Sequence, residues 1–320
     1  MKKILVYITL FCLTINSNAQ IDTCNSKSIV NPFLINYSIQ RNQKRAIVDT
    51  NAYISTHRNT FDIAIPLFTK LPSERNKNFL FRLNLALRHV NQPFQLSGIS
   101  QRLHLQTSQI GIRAVIQDKQ KLKGYVVFQA NALKQYEDYA INESPIRFTG
   151  LAIYQRTQNK IFNWTVGLSL SYLFGEGRFF PILGSRIRLN DKNRLNIFLP
   201  FNISYLHYGK KMLFRFYTAP QGGFNNLNSQ LSKYNPIKLV SIQRKELQIG
   251  VQGILKTDNF IQPSFYLGYT TRSKTILNTF IGPLDYTIEN GLFIRLGLNF
   301  NLTKKESCIQ DYYYSVIDEL

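Results

Sequence analysis

The sequence lacks a long apolar run beyond its first residues. After Ala19 no stretch of about 18 consecutive apolar residues occurs, which is the length that a membrane-spanning helix needs. The mature chain is therefore not expected to cross a membrane as a helix. If it lies in a membrane, it must form a closed β-barrel, because only helices and closed sheets satisfy all their backbone hydrogen bonds in lipid.

Residues that usually carry catalysis or bind metals are also scarce. The chain has three cysteines, four histidines and 18 acidic residues, with no CxxC pair, no phosphate-binding glycine loop and no dinucleotide-binding fingerprint. None of the histidines lies in a nucleophile motif or is spaced for metal binding; they are His57, His89, His104 and His207. We therefore expect neither an enzyme nor a protein that binds a metal or cofactor. An outer-membrane lipid hydrolase is kept as an alternative that ranks below the two functions given at the end of this section.

The first residues have the three parts of an export signal. Lys2 and Lys3 form a basic region, residues 4–15 are apolar, and Ser17-Asn18-Ala19 has the small-x-small pattern of a cleavage site. We predict a cleaved signal peptide over residues 1–19. In the oxidising periplasm, the two remaining cysteines, Cys24 and Cys308, could form a disulfide between the terminal segments, or stay as two separate thiols.

Basic residues greatly outnumber acidic ones, with 39 Lys and Arg against 18 Asp and Glu and a net charge of +21. In a soluble protein this excess would suggest nucleic-acid binding. Export excludes that partner, and the basic residues occur singly along the chain rather than in a block. Outer-membrane lipids, above all anionic lipopolysaccharide, and anionic solutes are the partners that agree with the charge and the export signal.

Residues 292–302 show the clearest structural pattern. Leu292, Ile294, Leu296, Leu298, Phe300 and Leu302 alternate with Phe293, Arg295, Gly297, Asn299 and Asn301. A side-chain period of two predicts a β-strand with one apolar face. Eleven residues, tilted by roughly 45°, cover about 25 Å, which matches the apolar band of a transmembrane barrel.

Similar alternating stripes recur along most of the chain. They predict an all-β fold, a transmembrane antiparallel up-and-down β-barrel of about 12 strands, within a range of 10 to 14, over residues 20–302. One strand is expected to continue from Leu195 through Leu199 to Tyr205, and residues 219–240 are expected to form a long surface loop. Residues 303–320 are expected to form a periplasmic tail that is either disordered or binds a periplasmic protein.

A family resemblance supports this fold. Residues 171–223 contain Phe174-Gly175, then Pro181-Ile182-Leu183-Gly184, a charged turn, Leu199-Pro200 and finally Gly222-Gly223. In this order the segment resembles a porin-like outer-membrane β-barrel family of unknown function. The resemblance implies a barrel in the bacterial outer membrane, inserted by the barrel assembly machinery, and it implies no activity. The chain departs from many such barrels by continuing about twenty residues beyond Phe300 instead of ending at the last aromatic residue.

A set of arginines falls on the predicted inner face of the barrel: Arg82, Arg88, Arg113, Arg186, Arg188, Arg215 and Arg295. They either pair with inner acids such as Asp62 and Glu246 and fill the interior, or form a basic lumen that favours anions. The leading hypothesis is a passive, porin-like channel for small, anionic solutes. The alternative is a plugged structural or assembly barrel that binds a protein partner through its loops or tail.

Overall fold

The computed structural model describes residues 34–48, 50–70, 79–97, 103–118, 124–137, 144–158, 161–172, 177–226, 239–255, 257, 261–279 and 281–301. These residues contain sixteen strands. In this part of the chain no helix is long and apolar enough to cross a membrane. The strands are β1 Leu34–Asn42, β2 Arg45–Ala46, β3 Tyr53–Lys70, β4 Phe79–Leu96, β5 Leu103–Asp118, β6 Gly124–Glu137, β7 Arg147–Thr157, β8 Phe162–Ser171, β9 Arg178–Arg188, β10 Asn193–Leu199, β11 Asn202–Tyr208, β12 Met212–Asn226, β13 Leu239–Leu255, β14 Ile261–Thr279, β15 Pro283–Ile288 and β16 Gly291–Asn301.

The strands close into a single antiparallel barrel. β1 pairs with β16 on one side and with β3 on the other, and each remaining long strand pairs with its neighbours along the chain. Within the described residues the closed ring has fourteen strands, because β2 and β15 are short additions at one end. The expected up-and-down barrel is confirmed, with a strand number at the upper limit of the predicted range.

A hairpin that the sequence analysis missed accounts for part of this difference. The strand expected to run from Leu195 to Tyr205 is two strands, β10 and β11, joined by a tight turn at Pro200 and Phe201. Leu195 pairs with Tyr205 and Ile197 with Ile203, so odd-numbered residues face odd-numbered residues across the turn. The apolar alternation therefore continues unbroken through the hairpin and gives no sign of it.

The outer face of the barrel is apolar, as the alternation predicts. On β16, Leu292, Ile294 and Leu296 are 54%, 54% and 62% exposed, whereas Phe293 between them is 1% exposed. Exposed apolar side chains occur on the same face of other strands: Phe61, Ile110, Ile112, Phe128, Val166, Leu168, Leu183, Ile203, Phe216, Ile249, Phe265, Leu267 and Tyr269. A continuous exposed belt of this kind is stable only against lipid, so the barrel spans a membrane.

Aromatic pairs lie on the outer face towards the end of the barrel where Leu34 and Asn301 lie. Such rings are typical of the membrane–water interface, where an amphipathic ring is favoured. Their centroids are 5.4 to 6.2 Å apart, and the pairs are Tyr154 with Trp164, Phe68 with Phe81, and Tyr205 with Phe216. This rim therefore marks one boundary of the apolar belt.

The barrel wall differs in height around its circumference. β3, β4, β13 and β14 have 17 to 19 residues each, whereas β10 and β11 have seven. The turns at the end where Leu34 and Asn301 lie are short where they are described. The opposite end has the longer connections that contain β2 and β15. Short turns are typical of the periplasmic side, so we assign the longer connections to the outer side.

Candidate functional site

The inner face of the barrel is the candidate site, and its chemistry is mainly polar. Strand alternation places polar residues inside wherever apolar residues face the lipid. Many of these side chains are buried within the barrel: Gln40, Thr56, Arg82, Asn84, Arg113, Gln129, Asn131, Arg215, Gln248 and Gln252. Amide and guanidinium groups therefore dominate the lining.

Strand β12 leaves the barrel wall in its second half. It pairs with β11 only as far as Thr218, which faces Ile203. From Ala219 to Asn226 it pairs with β13 alone, because the short β10–β11 hairpin ends below this level. Pro220 lies at the start of this part, and a residue without an N–H is tolerated on a strand that has lost one neighbour. We call residues 219–226 the crossing segment.

The crossing segment reaches the opposite wall. β5 is seven strands away from β12 in either direction around the ring, yet the Asn225 side-chain amide donates to the Gln106 carbonyl oxygen at 3.2 Å. A circular barrel of fourteen strands, spaced about 4.8 Å apart and tilted by about 40°, would measure about 28 Å between opposite backbones. One asparagine side chain cannot span that distance, so the crossing segment itself lies across the lumen.

Two arginines from other strands also bind the crossing segment. Arg58 of β3 donates from Nη1 to the Gln221 carboxamide oxygen at 2.9 Å. Arg147 of β7 donates from Nη1 to the Phe224 carbonyl oxygen at 3.3 Å and lies 4.1 Å from the centroid of the Phe224 ring. The segment is thus attached to three separate strands of the wall: β3, β5 and β7.

The crossing segment separates two cavities inside the barrel. The larger has a volume of about 160 Å³ and lies against the inner faces of β4 to β8; the smaller, of about 30 Å³, lies against β13. Arg58 and Gly222-Gly223 line both of them. The larger cavity is further lined mainly by polar side chains, among them Arg88, Gln109, Gln129, Asn131, Gln135, Thr149, Ser169 and Tyr172. Both volumes are small compared with that of an aqueous pore, so the crossing segment narrows the part of the lumen that the described residues line.

The outer mouth of the barrel contains an apolar cluster. Its members are inward-facing side chains from the strand ends and from the bridge between the β2 and β15 connections. They are buried against one another, with Phe94 0% exposed at the centre. The cluster consists of Ile47, Ile54, Phe94, Leu96, Leu103, Leu105, Ile242, Leu277 and Ile288. The cluster packs the upper ends of β3, β4 and β5 against β13, β14 and the two short connections.

A buried ion cluster lies below this mouth and connects β2 with β13. Glu246 accepts from Arg45 Nη2 at 3.2 Å and from Arg244 Nη2 at 3.3 Å. Gln248 donates to its second oxygen at 3.1 Å, and Arg45 donates from Nη1 to the Ser273 hydroxyl of β14 at 2.8 Å. The cluster thereby connects β2, β13 and β14 at the base of the mouth, with the β14 contact made through Arg45.

The structure buries three of the seven arginines predicted for the lumen. Arg82, Arg113 and Arg215 are 3%, 6% and 5% exposed. The Arg113 guanidinium donates from Nε to the Gln129 carboxamide oxygen at 2.7 Å, and the Arg215 guanidinium lies 5.5 Å from the centroid of the Tyr217 ring. These two side chains contact neighbours on the same wall and form part of its lining.

The other four are partly exposed: Arg88, Arg186, Arg188 and Arg295. Arg88 forms an ion pair with Asp62 at 3.3 Å, as the pairing alternative expects. Arg295 donates from Nη2 to the Gln40 carboxamide oxygen at 2.7 Å. The seven do not form one ring, because Arg88 lines the larger cavity while Arg188 bonds Asp191 in the β9–β10 turn at the periplasmic end.

Four inner arginines that bind the crossing segment or Glu246 were not in the predicted set: Arg45, Arg58, Arg147 and Arg244. Arg58 lies four residues before Asp62 on the inner face of β3, so extending that strand upwards would have found it. The predicted partner Glu246 instead binds Arg45 and Arg244. The crossing segment gave no signal, since its Pro, Gly and Asn residues are typical of a surface loop; that prediction was wrong for residues 219–226.

The histidines whose contacts are described take part in small polar networks. His207 Nδ1 lies 2.7 Å from the Asn193 carboxamide oxygen, and His89 Nδ1 lies 3.0 Å from the Ser108 hydroxyl. Among the described residues, no group of three or more His, Cys, Asp or Glu side chains is arranged to hold a metal ion. Cys24, Cys308, the signal peptide over 1–19 and the tail over 303–320 lie outside the described residues, so the disulfide stays a prediction.

Comparisons with known proteins gave structural similarity alone. No family model matches the sequence, and no curated protein matches it. The translocator domain of the autotransporter NalP from Neisseria meningitidis is 8% identical with a TM-score of 0.34, over 93% of this chain and 95% of that one. A mutant of the Rh. blastica porin is 8% identical with a TM-score of 0.31, over 85% and 99%. The outer membrane channel DcaP of Acinetobacter baumannii is 7% identical with a TM-score of 0.26, over 85% and 96%.

The fold is established by the strand pairing and the apolar outer face of this chain. The resemblance of residues 171–223 to porin-like barrels implied the same fold and the same location, and both are confirmed. A closed antiparallel barrel with an apolar belt and a polar interior is the architecture of outer-membrane proteins. The chain is a β-barrel protein of the bacterial outer membrane.

Proposed function

We propose that the protein is a gated channel for small polar solutes, closed at rest by the crossing segment. The observation that carries this proposal is the attachment of residues 219–226 to three strands across the lumen, through Arg58, Gln106 and Arg147. A barrel of fourteen strands has room for an aqueous path when its interior is clear. Here the crossing segment, which is the second half of β12, lies in that space.

The attachment is weak enough to be reversible. A hydrogen bond between neutral groups contributes about 1 kcal/mol net and one from a charged donor about 1.5–3 kcal/mol, so the three described bonds, two of them from arginines, hold the segment by about 4–7 kcal/mol. A preference of that size leaves at most about one molecule in 1,000 open at any time. The segment has no β11 partner and is paired with β13 from Ala219 to Asn226, so in the proposed opening it moves together with the upper part of β13.

The lining supports anions or neutral polar molecules as the solutes. Arg58, Arg88 and Arg295 lie within the barrel. Asp62 pairs with Arg88, whereas Arg58 and Arg295 bind uncharged carboxamide oxygens, so positive charge is in excess among these residues. Rings or clusters of arginine favour anions in pores. The expectation of anion preference thus stays part of the proposal, whereas the crossing segment within the lumen favours a gated channel over a permanently open one.

A second candidate is the plugged structural barrel. The apolar mouth cluster favours it, because nine buried apolar side chains close the outer end independently of the crossing segment. In that case the barrel would act through its outer connections or its tail, and no solute would pass. Release of the crossing segment would open a path through a gated channel, whereas it would leave a plugged barrel closed.

Single-channel recording in planar bilayers tests the proposal. The wild-type protein is expected to open rarely, and the double variant Arg58→Ala, Arg147→Ala to open at least about a hundredfold more often, because two of the three bonds, both from charged donors, are lost. Arg194→Ala is the matched control: its guanidinium stacks 4.7 Å from the Tyr208 ring and does not contact the crossing segment. It should behave as wild type.

The remaining outcomes separate the alternatives. A wild-type protein that conducts steadily would reject gating and restore the passive porin hypothesis. A double variant that keeps the heat-dependent gel shift of a folded barrel, yet stays silent at every voltage, would reject the channel and support the plugged barrel.

A further inference from the structure

A row of polar side chains crosses the lipid-facing surface of β4 to β6. His89 pairs with Ser108, and Ser108 pairs with Lys134, so the three lie at one height on adjacent strands. Phe61 of β3 continues the row on the other side of His89. Below this row the outward residues are apolar, and above it they are polar, so the row lies at the outer membrane boundary.

The row is held together by hydrogen bonds. The Ser108 hydroxyl lies 3.0 Å from His89 Nδ1 and 3.1 Å from the Tyr136 hydroxyl. Tyr136 is 5% exposed, whereas His89 is exposed. A polar chain of this kind would be costly against acyl chains, but it suits the level of lipid headgroups.

A groove of about 410 Å³ runs down the wall from this row. Its floor is formed by small side chains, Ala132 and Ser108, between larger ones on either side. Below the row the outward-facing residues that line the groove are apolar, namely Ile63, Leu87, Ile110 and Ala132, and Phe61 and Ile146 line it at the height of the row. The volume falls within the range of about 300–1,000 Å³ of small-molecule sites, which is enough for one acyl chain.

We propose that this groove is a specific binding site for lipid A, the phosphorylated lipid of the outer leaflet. One acyl chain occupies the apolar part, and a phosphate group contacts Lys134 and His89. The position and the charge support the assignment. The groove lies towards the outer end of the barrel, opposite the end with Leu34 and Asn301, and the Lys134 ammonium group lies at the upper end of the apolar groove. A phosphate bound by an ammonium group forms a charge-assisted hydrogen bond.

Two variants test the two halves of the site. Lys134→Gln removes the charge, and Ala132→Phe fills the apolar part without changing the charge. The controls are Lys274→Gln, an exposed lysine on the opposite wall, and Ala152→Phe, an exposed alanine on the same wall outside the groove. Lipid retention is measured by native mass spectrometry of the folded protein, titrated with lipid A or with phosphatidylglycerol.

Wild type and both controls are expected to retain one lipid A, and each test variant to bind it about tenfold more weakly. Retention of lipid A by Lys134→Gln at wild-type strength would overturn the phosphate contact and with it the proposal. Equal binding of phosphatidylglycerol and lipid A by wild type would also overturn it, since that is the behaviour of ordinary surrounding lipid. The heat-dependent gel shift confirms that each variant is folded.

Discussion

Replacing Glu246 with glutamine is expected to destabilise the barrel far more than the loss of one surface ion pair. Glu246 is the only carboxylate, among the described residues, that contacts both Arg45 and Arg244, and the three side chains are 8%, 3% and 11% exposed. Glu246→Gln leaves two guanidinium groups close together with no counter-charge. Removing one partner of a buried ion pair typically costs about 3–5 kcal/mol.

The assay is the temperature at which the folded band converts to the unfolded band on a gel. Asp191→Asn is the control, because Asp191 lies in the β9–β10 turn and is 68% exposed where it pairs with Arg188, and such pairs contribute about 1 kcal/mol or less. The triple variant Arg45→Met, Glu246→Met, Arg244→Met removes all the charges together and should recover much of the loss. If Glu246→Gln and Asp191→Asn lower the conversion temperature equally, the reasoning about the buried cluster is refuted.

Three further predictions concern the two faces and the mouth. Leu296→Arg places a charge against lipid and should destabilise the barrel by about 2–4 kcal/mol, whereas Asn299→Arg on the inner face of the same strand should be tolerated; the gel conversion temperature compares them. Phe94→Ala leaves a cavity in the mouth cluster and should cost about 3–5 kcal/mol, and unchanged stability would contradict its central place. The double variant Arg88→Gln, Arg295→Gln should shift the reversal potential of open channels towards cations in a salt gradient, and an unchanged potential would show that these arginines do not set selectivity.

The position of the crossing segment has a structural cause in the uneven barrel wall. β10 and β11 have seven residues each, so the wall between β9 and β12 ends early. The second half of β12 is left with one neighbour, and its unpaired edge would be exposed if it stood upright. Folding it across the lumen brings its polar groups to Arg58 and Arg147 instead.

The sequence by itself determined the local structure and the two faces of each strand. Side chains on successive residues point in opposite directions, so Leu292, Leu296 and Leu298 had to face one medium and Arg295 the other, whatever the rest of the chain does. The same rule placed Arg82, Arg113 and Arg215 inside. It failed at Pro200, since the β10–β11 hairpin preserves the alternation and leaves no trace in the pattern.

Only the tertiary structure decided which inner residues meet. Arg45 and Glu246 are 201 residues apart, and Arg58 and Gln221 are 163 residues apart, and no local pattern links either pair. Their contacts depend on ring closure and on the direction that β12 takes once β11 has ended. Alternation is a property of the backbone of one strand, whereas an open or closed lumen depends on how strands on opposite walls pack across the interior.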